Sequence, residues 1–189
     1  MRHDWRIDER EYRRHESRRG RRHAYVTVSP TRTALVVVDM IPFFLDENPY
    51  ARGIVPNIDA IASRLRDAGG TVAWVLPATG APTPAMIEFY GADVAASYSA
   101  AAGTGPLRDR LSPELRVTDR DLIVEKRAAG AFVPGHCDLD DQLQARDIDT
   151  VLVTGTVANV CCESTAREAS FGDVRTTDEV LDLIDVGAP

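Results

Sequence analysis

The chain has 189 residues, 44% hydrophobic and 27% charged, with a formal net charge of −7. That is the composition of one ordinary globular domain, and no apolar run approaches the ~20 residues that span a bilayer. Residues 1–23 carry nine arginines against five acids while the remainder is strongly acidic, which argues against nucleic-acid binding by the body.

Residues 1–29 read as a charged N-terminal arm, with a short helix around Asp8–Arg19, lying on the body or on a neighbouring subunit. The arm lacks the apolar segment of a secretory signal. The three cysteines, at 137, 161 and 162, make no disulfide framework. A cytoplasmic protein is expected. Residues 30–189 form the domain.

Ala34–Val38 (ALVVV) is a continuous apolar run, expected to be a strand buried on both faces of a parallel sheet, and it ends in Asp39. Pro42, Phe43 and Phe44 make an apolar loop suited to walling a pocket. Pro56 opens a helix in which Ile58, Ile61, Ala62 and Leu65 share one face, closed by Gly69 and Gly70. Thr71–Leu76 is the next strand. Residues 78–118, rich in Ala, Gly and Pro, make a long excursion with a helix around Met86–Tyr98, a natural lid or substrate wall. Asp121–Glu125 is a third strand with Lys126 at its carboxyl end. Phe132 to Asp138 forms a turn, and Leu139–Arg146 reads as a helix.

Thr150–Thr154 is a fourth buried strand, broken by Gly155. Asn159 is placed to cap a helix running to about Ser170, which sets Cys161 and Cys162 in its first turn. There the helix dipole and free N–H groups favour thiolate over thiol. Both cysteines are equally readable as small buried packing residues.

Alternating strands and helices argue a doubly wound parallel sheet, an α/β fold. Asp39, Lys126 and Cys161 then follow three different strands on one sheet edge, where such folds place ligands. Lys126 is the single lysine in a chain with 21 arginines. It is there by chance, or because only a compact, tunable amine serves. Together the three residues can do covalent chemistry on a carbonyl. The thiolate attacks, Asp39 moves the proton, Lys126 holds both ionised, and the N–H groups of Val157 and Cys161 receive the oxyanion. A metal centre is not expected, because no pair among His3, His15, His23 and His136 has ligand spacing. The segment GTVANV matches no phosphate-binding loop, so no cofactor is expected.

Asp39 in ALVVVDM, Lys126 in DLIVEKR and Cys161 in VTGTVANVCCESTAREA together resemble the isochorismatase-like cysteine hydrolase superfamily, in the family's order and over about residues 31–170. The resemblance implies a Rossmann-like three-layer α/β/α sandwich with a mainly parallel sheet, in a homodimer or homotetramer. It implies Asp39, Lys126 and Cys161 as a catalytic triad, with Cys162 turned to the core, and a cis peptide between Thr156 and Val157. It implies a small-molecule substrate, no nucleic-acid or membrane partner, and cleavage of an amide, lactam or carbamoyl C–N bond through a thioester. Vinyl-ether cleaving members generally lack the cysteine, so a hydrolase of that type, or an idle ligand-binding scaffold, is the alternative. The nicotinamidase motif Asp-x-His-His has no counterpart here.

The chain departs from the family pattern in three places. Ile41-Pro42-Phe43-Phe44 replaces a polar run, making the pocket more apolar, with Phe44 and Phe132 as expected walls. His136 and Cys137 occupy a turn that is often Gly-Thr, which sets His136 near the pocket or simply on the surface. A strand and helix that the family places after the cysteine helix are missing beyond Ser170. Without them the Thr150–Thr154 strand exposes an apolar edge, which favours an omitted segment. In a chain with a true deletion, Asp173–Thr176 takes that strand's slot.

Overall fold

A computed structural model describes residues 8–25, 27–46, 48–172 and 175–177. Helix α1 (Glu9–Arg19) is capped by the Asp8 carboxylate, which accepts from Arg10 N, and stops at Gly20 with φ 71°. Strand β1 (Thr33–Val38) is buried along its whole length. Two single turns, α2 (Pro42–Leu45) and α3 (Pro49–Arg52), lead into α4 (Val55–Asp67). Strand β2 (Thr71–Pro77), helices α5 (Pro84–Tyr90) and α6 (Ala92–Ala101), strand β3 (Leu122–Lys126), helix α7 (Leu139–Gln144) and strand β4 (Thr150–Gly155) follow. Helix α8 (Glu163–Phe171) and the short β5 (Arg175–Thr177) complete the described residues.

The strands form one sheet in the order β3-β2-β1-β4-β5, and every pairing is parallel. Period-two alternation sends the side chains of each strand to opposite faces. On one face Leu35, Val37, Val72 and Trp74 meet Ile58, Ala62 and Leu65 of α4. On the other, Ala34, Val36, Val75, Val124 and Val151 meet Leu139 and Leu143 of α7 and Ala169 of α8. Helices therefore cover both faces, giving the three-layer α/β/α sandwich. Its centre is β1, whose uninterrupted apolar run reflects this double burial.

Two expectations change. The single helix around Met86–Tyr98 is two helices, because Gly91 sits between them at φ 83°, ψ 157°, outside helical backbone and accessible chiefly to glycine. Asn159 does not cap the cysteine helix. The chain enters a wide turn at Ala158–Cys162, whose Cys162 N–H donates to Val157 O five residues back at 3.2 Å. Asn159 lies exposed inside it. Such π turns recur at functional sites.

Strand β5 pairs with β4 from Thr150↔Arg175 to Leu152↔Thr177, so it occupies the slot beside β4. Residues 178–189 lie outside the described residues. Among the described residues no helix is long and apolar enough to cross a membrane.

Candidate active site at the carboxyl edge of the sheet

Three parallel strands end side by side and deliver Asp39, Lys126 and the turn to Cys161 to one edge. Asp39 follows the central strand and is 1% exposed; Lys126 ends β3 and is 5% exposed. The Lys126 ammonium reaches across β2 to Asp39 Oδ2 at 2.9 Å and donates to Ala128 O at 3.3 Å. The other oxygen, Asp39 Oδ1, is buried with no regular hydrogen-bond partner. The half-buried Cys161 thiol lies near enough to the carboxyl group to oppose its upward shift.

Asp39 adopts a left-handed backbone conformation with φ 52°, uncommon for a residue with a side chain. Its N–H stays in the sheet ladder, donating to Val75 O at 2.8 Å. Its carbonyl accepts from Ile41 N at 2.9 Å and from the Thr156 hydroxyl at 2.9 Å. Thr156 is itself pinned, its N–H donating to Val38 O at 2.9 Å. Gly155 makes this approach possible: a Cβ there would overlap the Val38 backbone, and its φ is 118°. The Thr156–Val157 peptide is cis.

The electrostatics differ from the sequence expectation. Burial pushes the Asp39 carboxyl above its ordinary range, and Lys126 and the Cys161 thiol only partly offset it. Burial likewise pushes the Cys161 thiol up, reinforced by Asp39 and opposed by Lys126 and by the Val157 N–H, which points at the sulfur. The resting site therefore favours a neutral thiol beside a raised carboxyl, not a standing thiolate. The cost of burying a charge here outweighs what the helix start offers a thiolate. Cys162 is pushed up further, to about 12, by burial and by Asp39 and Cys161, and packs against the second apolar cluster. A raised carboxyl is a stronger acceptor for the thiol proton than an ordinary aspartate is.

The remaining expected pocket residues lie in different surroundings. Phe132 packs with Cys161 against the same apolar cluster, and its N–H donates to Glu168 of α8 at 3.1 Å. Phe44 packs against the cluster on the opposite sheet face, edge-on to Phe43 at 5.0 Å. His136 is exposed in its turn, its carbonyl accepting from Arg127 N at 2.9 Å. Among the described residues no group of three or more His, Cys, Asp or Glu side chains is arranged to hold a metal.

The Thr156 hydroxyl, the Ala128 carbonyl and the buried Arg110 escaped the sequence reading. Arg110 ties the excursion after β2 to the sheet edge through Ala102 O at 2.6 Å, Glu125 at 2.6 Å and Pro77 O at 2.5 Å. Only Thr156 carried a signal, a polar residue directly after a strand-ending glycine.

Comparison with known proteins fits this architecture. The Isochorismatase domain model matches residues 33–177. The ureidoacrylate amidohydrolase RutB of Cronobacter sakazakii is 27% identical over 172 residues, covering 77% of this chain and 72% of that protein. A cysteine hydrolase from Pseudomonas syringae pv. phaseolicola superposes with TM-score 0.68 at 30% identity, covering 82% of this chain and 73% of the other. N-carbamoylsarcosine amidase from Thermoplasma acidophilum superposes with TM-score 0.64 at 28% identity, covering 77% and 79%. With a match across most of its length and a three-layer sandwich of the same kind, the chain belongs to the isochorismatase family of hydrolases.

Proposed function

We propose that the protein is a cysteine-dependent hydrolase of a small-molecule amide, lactam or carbamoyl C–N bond, with Asp39, Lys126 and Cys161 as its triad. The observation that carries this reading is the buried Asp39 carboxylate, held at one oxygen by Lys126 at 2.9 Å, left unpaired at the other, and influenced by the nearby Cys161 thiol. An unpaired buried carboxylate oxygen is costly, and a donor that comes and goes during turnover accounts for it. The amidohydrolase and amidase among the similar proteins support the same bond type.

Asp39 takes the Cys161 proton as sulfur attacks the carbonyl carbon. The carbonyl π electrons move to oxygen, where the N–H groups of Val157 and Cys161 receive the charge. Donors of this kind are worth about 3 kcal/mol each in other enzymes. The intermediate collapses, the C–N bond breaks, and the proton on Asp39 passes to the departing nitrogen, leaving a thioester. Asp39 then deprotonates a water that attacks the thioester, and the acid leaves as Cys161 recovers its proton. Lys126, 2.9 Å from Asp39, limits the cost of charge on that carboxylate.

A screen of amides, ureides and lactams for release of ammonia or amine tests the reading. Cys161→Ala is expected to abolish turnover of whatever substrate emerges, while a turnover-slowed variant accumulates an acyl adduct visible by intact mass. Full activity in Cys161→Ala would refute the thiol mechanism in favour of carboxylate-only chemistry.

A further inference from the structure

The Asp39 carboxylate is aimed by its own backbone, and that backbone is held in place from another strand. At φ 52° the residue sits in a conformation that aspartate tolerates but does not prefer. Its carbonyl has two donors. Ile41 N lies two residues along the same loop, and the Thr156 hydroxyl comes from the end of β4 at 2.9 Å. The hydroxyl is buried, and Thr156 is fixed independently by its N–H bond to Val38 O at 2.9 Å. Without the hydroxyl, the Asp39 carbonyl keeps only the local bond from Ile41 N and loses its tie to β4, so the left-handed φ of Asp39 can relax toward commoner values and shift the carboxylate.

We infer that the Thr156 hydroxyl is the positioning group that fixes the left-handed backbone of Asp39 and so aims its carboxylate between Lys126 and Cys161. The inference rests on the triad reading. It assigns Thr156 no contact with substrate. Its side chain acts through Asp39, and the methyl of Thr156 is not required.

The groups facing the Cys161 thiol are Asp39 from β1, Lys126 from β3 and the Val157 N–H, with Cys162 adjacent on the chain. Asp39 opposes thiolate formation and Lys126 favours it. Swinging Asp39 away therefore makes the thiol easier to ionise, even as the enzyme loses its base. A purely structural role for Thr156 would lower stability without moving this titration.

Iodoacetamide is the probe, with Cys161 labelling followed against pH by peptide mass spectrometry in the full chain. In Asp39→Asn, labelling at pH 7 should rise at least about 3-fold, since removing a charge at this range moves a pKa by about one unit or more. Thr156→Val should shift in the same direction, and Thr156→Ser should retain the wild-type profile. Circular dichroism checks folding, with Thr156→Ala substituting if the valine variant does not fold. An unshifted Thr156→Val beside a shifted Asp39→Asn would overturn the positioning role alone. So would a serine variant that behaves like valine. An unshifted Asp39→Asn would overturn the triad reading and this inference with it.

Discussion

Lys126 is 5% exposed, with its ammonium 2.9 Å from Asp39 Oδ2 and 3.3 Å from Ala128 O. Those two acceptors lie on different segments, and a compact ammonium satisfies both from one point. A guanidinium spreads its donors across a rigid plane and adds volume, so it cannot occupy the same space without displacing the Ala128 loop or the end of β1. Every other basic side chain but this one is arginine, so the exchange is a clean test of shape at constant charge. Lys126→Arg should cost about 1–3 kcal/mol in urea unfolding through overpacking. It should also lose turnover by about 100-fold, the scale expected when a base is displaced by about an ångström. An arginine variant with wild-type turnover would show that the site needs only a positive charge there.

At the level of elements, the sheet edge that carries the proposed triad is matched by a fastening at the opposite end. Asp121, just before β3, has a side chain 1% exposed. Its Oδ2 accepts from Arg66 of α4 at 2.6 Å, from Trp74 Nε1 of β2 at 2.8 Å and from Thr118 N at 2.8 Å. Burial alone would raise this carboxyl, but the bonds from Arg66, Thr118 and Trp74 outweigh it and hold the group below its usual range. A depressed folded pKa contributes stability that is complete above the unfolded value and is lost as pH falls through the folded one. Asp121→Asn places an amide N–H₂ against donors on both sides. It should therefore destabilise the protein by about 3 kcal/mol near pH 7, the order of a hydrogen bond to a charged group. The gap from wild type should close progressively below about pH 4, the unfolded aspartate range. Urea melts at pH 7, 5 and 3 check this, and a pH-independent gap would locate the loss in packing instead.

The four long strands were legible because double burial leaves continuous apolar runs, and α4 because its apolar period is regular. The break at Gly91 was not, since a single glycine is compatible with a helix interior unless the backbone around it is known. The π turn was not, since its extra residue has no compositional mark. At the site, the three side chains were legible from their strand ends. Their protonation was not, because burial belongs to the whole fold rather than to a helix terminus.

Across the whole molecule, charge and packing divide the chain at the same point. The positive residues of the first segment are concentrated around α1, while the body that follows is strongly acidic. Contacts within the arm tie it to itself: Arg22 pairs with Glu9 at 2.8 Å and stacks on Tyr12 at 3.7 Å, and Tyr12 meets His23 edge-on. The body closes on itself just afterwards, where Thr33 Oγ1 donates to Ser29 O at 2.7 Å and Arg32 pairs with Asp149 at 2.8 Å. Among the described residues, neither core cluster draws one from before Ala34. Solvent-exposed ion pairs such as those of α1 add little to stability and are screened by salt. A chain lacking residues 1–28 keeps these Thr33 and Arg32 bonds at the start of β1, so it should melt within about 2 °C of the full chain. Its Cys161 labelling rate by iodoacetamide should be unchanged. A larger drop in melting temperature, or altered labelling, would mean that the basic segment braces the acidic body and that the two do not fold independently.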